Sequence, residues 1–87
     1  MPYRIVYSKQ ALKDLKKIKM AGLSRQAHAL IVLIEENPYA TPPTYEKLVG
    51  NLRGMYSRRI SIQHRLVYAV YEEERVVKIL RMWTHYE

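Results

Sequence analysis

The residues best suited to chemistry lie in one short stretch, residues 46–70, with the sequence EKLVGNLRGMYSRRISIQHRLVYAV. This stretch holds five of the chain's fifteen lysines and arginines, and its only acidic residue is Glu46 at its first position. Arginine carries a permanent charge on a planar fork that matches phosphate oxygens, and an isolated carboxylate can act as a base. The stretch therefore suggests a surface that binds anions, with one base at its edge.

Cleavage of RNA without a metal needs few protein groups of this kind. A base takes the proton of a ribose 2′-hydroxyl, whose oxygen attacks the adjacent phosphorus, and an acid protonates the leaving 5′-oxygen. Base and acid each contribute about 10²–10⁴-fold, and cations stabilise the added negative charge. Glu46 offers the base, Arg59 and Arg65 offer the cations, and His85 offers the acid. From residue types alone, a histidine at the position of His85 is more often an ordinary C-terminal residue.

Other kinds of catalytic site have weaker support in the sequence. The chain has no cysteine, which excludes disulfides, zinc–thiolate sites and thiol catalysis. Its three histidines lack metal-ligand spacing, and the glutamates at 72–74 are typical of a solvated turn. The sequence has neither a phosphate-binding glycine loop nor a G-x-S-x-G elbow. We therefore expect neither a metal site nor a cofactor.

Length and charge narrow the class of protein. The 87 residues suffice for a single domain, 1–87, with one modest core. The net charge of +7 favours polyanionic partners such as nucleic acid or acidic proteins. No apolar run approaches the roughly 18 residues of a membrane span, and the N-terminus lacks a signal-peptide pattern. We expect a cytoplasmic protein with no membrane partner.

The N-terminal half predicts one strand followed by two helices. The alternating, β-branched residues 3–8 predict the strand. Ser8 can cap a helix that begins at Lys9 and that Gly22 closes. The apolar stripe of this helix consists of Leu12, Leu15 and Ile18.

The second helix is predicted over 25–37, with Ser24 as its cap. It ends at Asn37 because a residue that precedes proline disfavours the α conformation. Its buried face consists of Ala27, Leu30, Ile31, Leu33 and Ile34. The next segment, 38–47, holds three prolines and is expected to be irregular.

Three strands are predicted in the C-terminal half, at 55–61, 64–72 and 75–83. The strand 64–72 is apolar on both faces and should lie at the centre of the sheet. The order β-α-α-β-β-β predicts an α+β fold, in which two N-terminal helices pack on a mainly antiparallel four-stranded sheet.

Alternation along these strands places the arginines. Ile60 and Leu66 should share the core side of the sheet, so Arg59 and Arg65 should share the other side. Two guanidiniums on an open face, with no local acid to pair them, indicate a site for an anion. A charged and solvated sheet edge is the alternative, and the central position of 64–72 disfavours it for Arg65.

The segment NLRGMYSRRISIQHRLVYAV, residues 51–70, resembles the signature of the Txe/YoeB toxins in the RelE superfamily. The family pattern runs roughly N-L-x-G-x-[WY]-S-R-R-I-x-x-x-H-R-L-V-Y-x-V, and nearly every defined position matches. The upstream segment NPYATPPTYEKL and the terminal His85-Tyr86 are similar to the family as well. The resemblance extends over nearly the whole chain.

The resemblance implies a microbial-ribonuclease-like, RelE-like fold and the toxin of a type II toxin–antitoxin pair. Such toxins are ribosome-dependent endoribonucleases that cut mRNA in the A site. It implies that Glu46 is the general base, His85 the general acid and Arg65 the arginine that stabilises the phosphate. The substrate-binding residues would be Arg59, Tyr86, Lys47 and Arg58.

The sequence departs from the family pattern at several places, among them the proline- and threonine-rich loop before Glu46. Many relatives carry a lysine three residues after the glutamate, where this chain has Val49, so Lys47 would have to substitute from a different direction. Glu87 adds a negative charge beside His85, which favours the charged form of the imidazole.

The resemblance also implies partners and leaves one alternative function open. The partners would be an acidic antitoxin similar to YefM or Axe, the ribosome with its mRNA, and ribosomal RNA held by the basic surface; a homodimer is also open. The alternative is a ParE-like toxin of the same superfamily, which poisons DNA gyrase without cleaving RNA. Glu46 together with His85-Tyr86 favours the ribonuclease.

Overall fold

The computed structural model describes residues 2–83, in which two helices pack on one face of a five-stranded sheet. The elements are β1 (Arg4–Tyr7), α1 (Lys9–Met20), α2 (Ser24–Glu36), β2 (Glu46–Lys47), β3 (Met55–Arg59), β4 (Arg65–Tyr71) and β5 (Val76–Arg81). The sheet order is β1-β5-β4-β3-β2, with β1 parallel to β5 and every other pair antiparallel. Over the described residues, neither helix has the length and apolar character needed to cross a membrane.

The predicted α+β architecture is confirmed, with a correction to the number of strands. β4 lies at the centre of the sheet, as its two apolar faces predicted. The additional strand is β2, whose two residues belong to the segment expected to be irregular. It pairs with β3 so that Glu46 lies opposite Ser57. A strand this short carries no alternation that a sequence pattern could reveal.

Both ends of α1 have the caps that the sequence predicted, whereas α2 begins without the predicted side-chain cap. The Oγ of Ser8 accepts a hydrogen bond from the N–H of Ala11 at 3.0 Å, which caps α1. Gly22, with a φ of +75°, ends α1 in the left-handed conformation that glycine tolerates best. The residue before the first turn of α2 is Leu23, and no side chain caps this turn; Ser24 is already helical.

The core lies between the helices and the sheet, and it corrects the apolar stripe predicted for α1. The buried residues of α1 are Ala11, Asp14 and Ile18. Leu12 has 51% of its surface exposed, so it lies outside the core. The predicted face of α2 is confirmed at Ala27, Leu30 and Ile34, which are buried, and at Ile31, which packs beside them, whereas Leu33 is only partly buried.

Asp14 occupies a core position because it binds the end of β5. Its Oδ2 accepts a hydrogen bond from the backbone N–H of Met82 at 3.0 Å, and its Oδ1 accepts one from Gln10 at 2.8 Å. The hydroxyl of Ser8 donates to the carbonyl of Leu80 at 2.9 Å. Polar groups of Ser8 and α1 thus fix the place where the chain leaves the sheet.

Substitution of Asp14 tests this anchor. Asp14→Ala leaves the buried N–H of Met82 without an acceptor, which should lower the free energy of unfolding by about 1–3 kcal/mol. Asp14→Asn keeps an oxygen for that N–H and should lose clearly less. Urea unfolding of the two variants measures the difference, and equal losses would contradict the anchor.

Candidate functional site

A cleft of about 270 Å³ opens where β2, β3 and β4 meet, on the sheet face away from the helices. Its lining consists of Pro43, Thr44, Glu46, Ser57, Arg59 and Arg65. Arg59 lies directly opposite Arg65 across the β3–β4 pair. The prediction that these two arginines share the open face is therefore confirmed.

The structure corrects the expectation that the arginines have no acid to pair them. Arg65 Nη1 lies 2.8 Å from Glu46 Oε1, in an ion pair whose side chains are 23% and 59% exposed. The same nitrogen lies 3.5 Å from the hydroxyl of Ser57, which is buried. The carboxylate predicted as the base and the guanidinium predicted as the phosphate ligand are thus in direct contact.

Arg59 gives the cleft a positive charge in addition to the neutral ion pair. Its side chain is exposed, and within residues 2–83 no carboxylate pairs with it. The cleft therefore contains one carboxylate and two guanidiniums, one of them paired. A phosphate entering the cleft would meet Arg59 first and could then compete with Glu46 for Arg65.

Arg58 does not line the cleft, which corrects its assignment to the substrate-binding set. Only 1% of its surface is exposed, because β3 turns its side chain towards Leu66 and the core. Its Nε donates to the hydroxyl of Tyr68 at 3.0 Å, and its two terminal nitrogens donate to three backbone carbonyls. A guanidinium buried and occupied in this way has no donor to offer a substrate in the cleft.

Lys47 also lies outside the cleft, because the strand register puts it on the other face of the sheet. Glu46 lies opposite Ser57, whereas Lys47 lies opposite Tyr56, and successive side chains of a strand point to opposite faces. Lys47 therefore projects from the other side of the sheet, so it does not substitute within the cleft for the family lysine. Val49, at the position of that lysine, is 82% exposed.

Glu72 belongs to a polar cluster, although its sequence context is that of a solvated turn. The hydroxyls of Tyr3 and Tyr39 donate to its two carboxylate oxygens. The bond from Tyr39, followed by that from Tyr3, lowers the pKa of Glu72 below its usual value, while burial and Glu72 raise the pKa of Tyr39. The cluster ties the loop that carries Tyr39 to the turn after β4.

His85, Tyr86 and Glu87 lie outside the described residues, so the roles predicted for them remain predictions. The last strand, β5, ends at Arg81, which lies opposite Val67 in β4. Trp83 then stacks on His64, with ring centroids 4.1 Å apart.

Two features of the cleft escaped the sequence analysis. Ser57 was not assigned a place beside the ion pair, because its position opposite Glu46 depends on the short strand β2. Pro43 and Thr44 were expected only to be irregular, yet they form a wall of the cleft. Within residues 2–83, no three histidine, aspartate or glutamate side chains converge as ligands for a metal ion.

Comparison with known proteins adds an independent finding. Residues 4–86 match the model of the YoeB-like toxins of bacterial type II toxin–antitoxin systems. Toxin YoeB of Mycobacterium bovis is 38% identical over 63 residues, which make up 72% of each chain.

Solved structures with the same fold include other toxins of this group. A YoeB/ParE toxin from Agrobacterium tumefaciens superposes with a TM-score of 0.87 at 26% identity, covering 95% of this chain and 99% of its own. YoeB of Staphylococcus aureus, solved both in a YoeB–YefM complex and as a dimer, is 34% identical, with TM-scores of 0.81 and 0.82. Both of its structures cover 99% of this chain and 100% of their own.

The ion pair predicts how the cleft responds when its carboxylate is removed. An exposed pair of this kind is worth up to about 1 kcal/mol, so Glu46→Gln should bind inorganic phosphate roughly two- to fivefold more tightly. The chemical shifts of the Arg59 and Arg65 amides during a phosphate titration measure the affinity. Glu73→Gln changes the net charge equally, in the turn at the far end of β4. An equal gain in both variants would mean that net charge alone governs binding.

Proposed function

The chain belongs to the YoeB-like toxins of bacterial type II toxin–antitoxin systems, and we propose that it is an endoribonuclease that cuts mRNA in the A site of the ribosome. The observation that carries this proposal is the cleft in which Glu46 and Arg65 form an ion pair beside Arg59. A base and two phosphate ligands stand within one small site. This set suits attack by the substrate's own 2′-hydroxyl.

The reaction begins with an exchange of partners at Arg65. The scissile phosphate binds between Arg59 and Arg65, whose planar forks match its oxygens. Arg65 then turns from the carboxylate of Glu46 to the phosphate. Glu46, released from its ion pair, lies next to the phosphate and accepts the proton of the adjacent 2′-hydroxyl.

Bond formation and cleavage then follow on the RNA itself. The 2′-oxygen attacks phosphorus, and the added negative charge falls on oxygens that Arg59 and Arg65 contact. The bond to the 5′-oxygen breaks as this oxygen takes a proton, and the upstream product ends in a 2′,3′-cyclic phosphate. We assign the proton donor to His85 and the positioning of the substrate to Tyr86. No step requires a metal ion or a cofactor.

The ribosome supplies what an exposed carboxylate lacks. Glu46 is more than half exposed and is paired with Arg65. Holding the 2′-hydroxyl in line with the phosphorus can replace chemical strength, since a well-oriented reaction has a large entropic advantage. Activity on free RNA should therefore be low. The exposed lysines of α1 are suited to contact the ribosomal RNA backbone: Lys9, Lys13, Lys16, Lys17 and Lys19.

The partner of the toxin follows from its charge and its relatives. The net charge of +7 and the open basic face favour an acidic antitoxin that covers the cleft. The S. aureus relative is known in a complex with YefM and as a dimer, which supports a YefM-like partner and a homodimer for this chain. A toxin that acts on ribosomes would work in the cytoplasm, which is the location we propose. A toxin that only binds gyrase would have no use for the base and phosphate ligands in the cleft.

Mapping of mRNA 5′ ends in a translating extract tests the proposal. The protein should produce new ends within the codon in the ribosomal A site, and none on the same message without ribosomes. Arg65→Ala should slow this cleavage by about a hundredfold, because a donor to the developing charge is lost. Arg4→Ala removes the same charge from β1 at the opposite edge of the sheet and should cut nearly as fast as the wild type. Equal slowing in both variants, or no new ends, would contradict the proposal.

A further inference from the structure

The loop of residues 38–45 has no regular secondary structure, yet it positions the proposed base and part of the cleft. It leads directly into Glu46, and its residues Pro43 and Thr44 form a wall of the cleft. The strand β2 that follows is only two residues long, so its pairing with β3 gives the loop little support. The position of the carboxylate must therefore depend on whatever holds the loop.

Arg58 holds this loop at three points. Its Nη2 donates to the carbonyl of Pro38 at 3.0 Å and to that of Ala40 at 2.8 Å, and its Nη1 donates to the carbonyl of Pro43 at 2.7 Å. The hydroxyl of Tyr68 accepts from Arg58 Nε and donates to Pro38 at 2.7 Å. One side chain in the core thus binds both ends of the loop's proline segment.

The position of Arg58 in β3 connects this clamp to the cleft. Its chain neighbours Ser57 and Arg59 line the cleft on one face, while Arg58 lies on the other face, beneath the loop. Tyr45, the residue before Glu46, packs over the guanidinium at 4.9 Å. The strand that carries the phosphate ligands and the loop that carries the base are therefore joined through Arg58.

We propose that Arg58 is a positioning residue, which sets the distance between the carboxylate of Glu46 and the two arginines of the cleft. The proposal rests on the function given to that cleft above, and it adds a residue that touches no substrate. A lysine could not replace Arg58. The ammonium of lysine is a compact charge without a planar fork, so it cannot take the place of the two separate guanidinium nitrogens that bind Pro38, Ala40 and Pro43.

Hydrogen exchange and single-turnover cleavage test the proposal on the variant Arg58→Lys. Exchange should accelerate at the amides of Ala40 and Leu48, whose bonds to Asn37 and Met55 lie in and after the loop, and should change little in β4 and β5. The cleavage rate at saturating ribosomes should fall by about a hundredfold, the effect of a catalytic group displaced by about 1 Å. The half-saturating concentration should stay close to that of the wild type, because the surfaces that bind the ribosome are intact.

A matched variant separates positioning from general loss of stability. Ile18→Val removes one methyl group from the core side of α1, away from the loop, and should retain the wild-type cleavage rate. If Arg58→Lys does not fold, Tyr68→Phe removes a single hydroxyl from the clamp and should give the same local pattern at a smaller amplitude.

Hydrogen exchange and cleavage distinguish a failure of the positioning role from a failure of the proposed function. Faster exchange spread evenly over the sheet, or an equal loss of cleavage in Ile18→Val, would overturn the positioning role. A wild-type protein that cuts no RNA would overturn the proposed function instead. In that case local exchange at Ala40 and Leu48 still decides whether Arg58 holds the loop.

Discussion

A guanidinium buried in a protein interior needs acceptors for nearly all of its donors, because the loss of its hydration is otherwise uncompensated. In this chain the acceptors of Arg58 are a tyrosine hydroxyl and three carbonyls of a proline-rich loop. Prolines offer carbonyls without competing N–H groups, so the loop matches the needs of the guanidinium. The burial of Arg58 and the shape of the loop thus require each other, and the cleft depends on both.

The second organising feature is the ion pair between Glu46 and Arg65. The proposed base and the proposed phosphate ligand neutralise each other, which leaves Arg59 as the exposed positive charge among the described residues that line the cleft. In the proposed mechanism an incoming phosphate competes for Arg65 and so releases the base next to the hydroxyl it must deprotonate. Release of the base would then depend on binding of the phosphate, which suits a nuclease that should act only on a correctly positioned message.

Sequence patterns predicted the parts of the fold that depend on periodicity, and they failed where single residues depend on distant partners. Alternation placed Arg59 and Arg65 on the open face, and β4 at the centre of the sheet. The same alternation would have placed Arg58 with Ile60 on the core side. A buried arginine is uncommon, however, and the family resemblance assigned Arg58 to substrate binding together with Arg59. The strand β2 and the Glu46–Arg65 pair could not be predicted, because their contacts join segments 11 and 19 residues apart. Asp14 escaped notice because its partner is a backbone N–H at the other end of the chain.

The nucleophile is the most direct test of the proposed mechanism, because the cleft provides a base and phosphate ligands and the RNA must provide the attacking oxygen. A message with one 2′-deoxy nucleotide immediately 5′ of the cut should remain whole at that position in a translating extract. The unmodified message should give a 2′,3′-cyclic phosphate, or its hydrolysed 3′-phosphate, facing a 5′-hydroxyl. Cleavage of the 2′-deoxy message at the same position, or products that carry a 5′-phosphate, would contradict the mechanism.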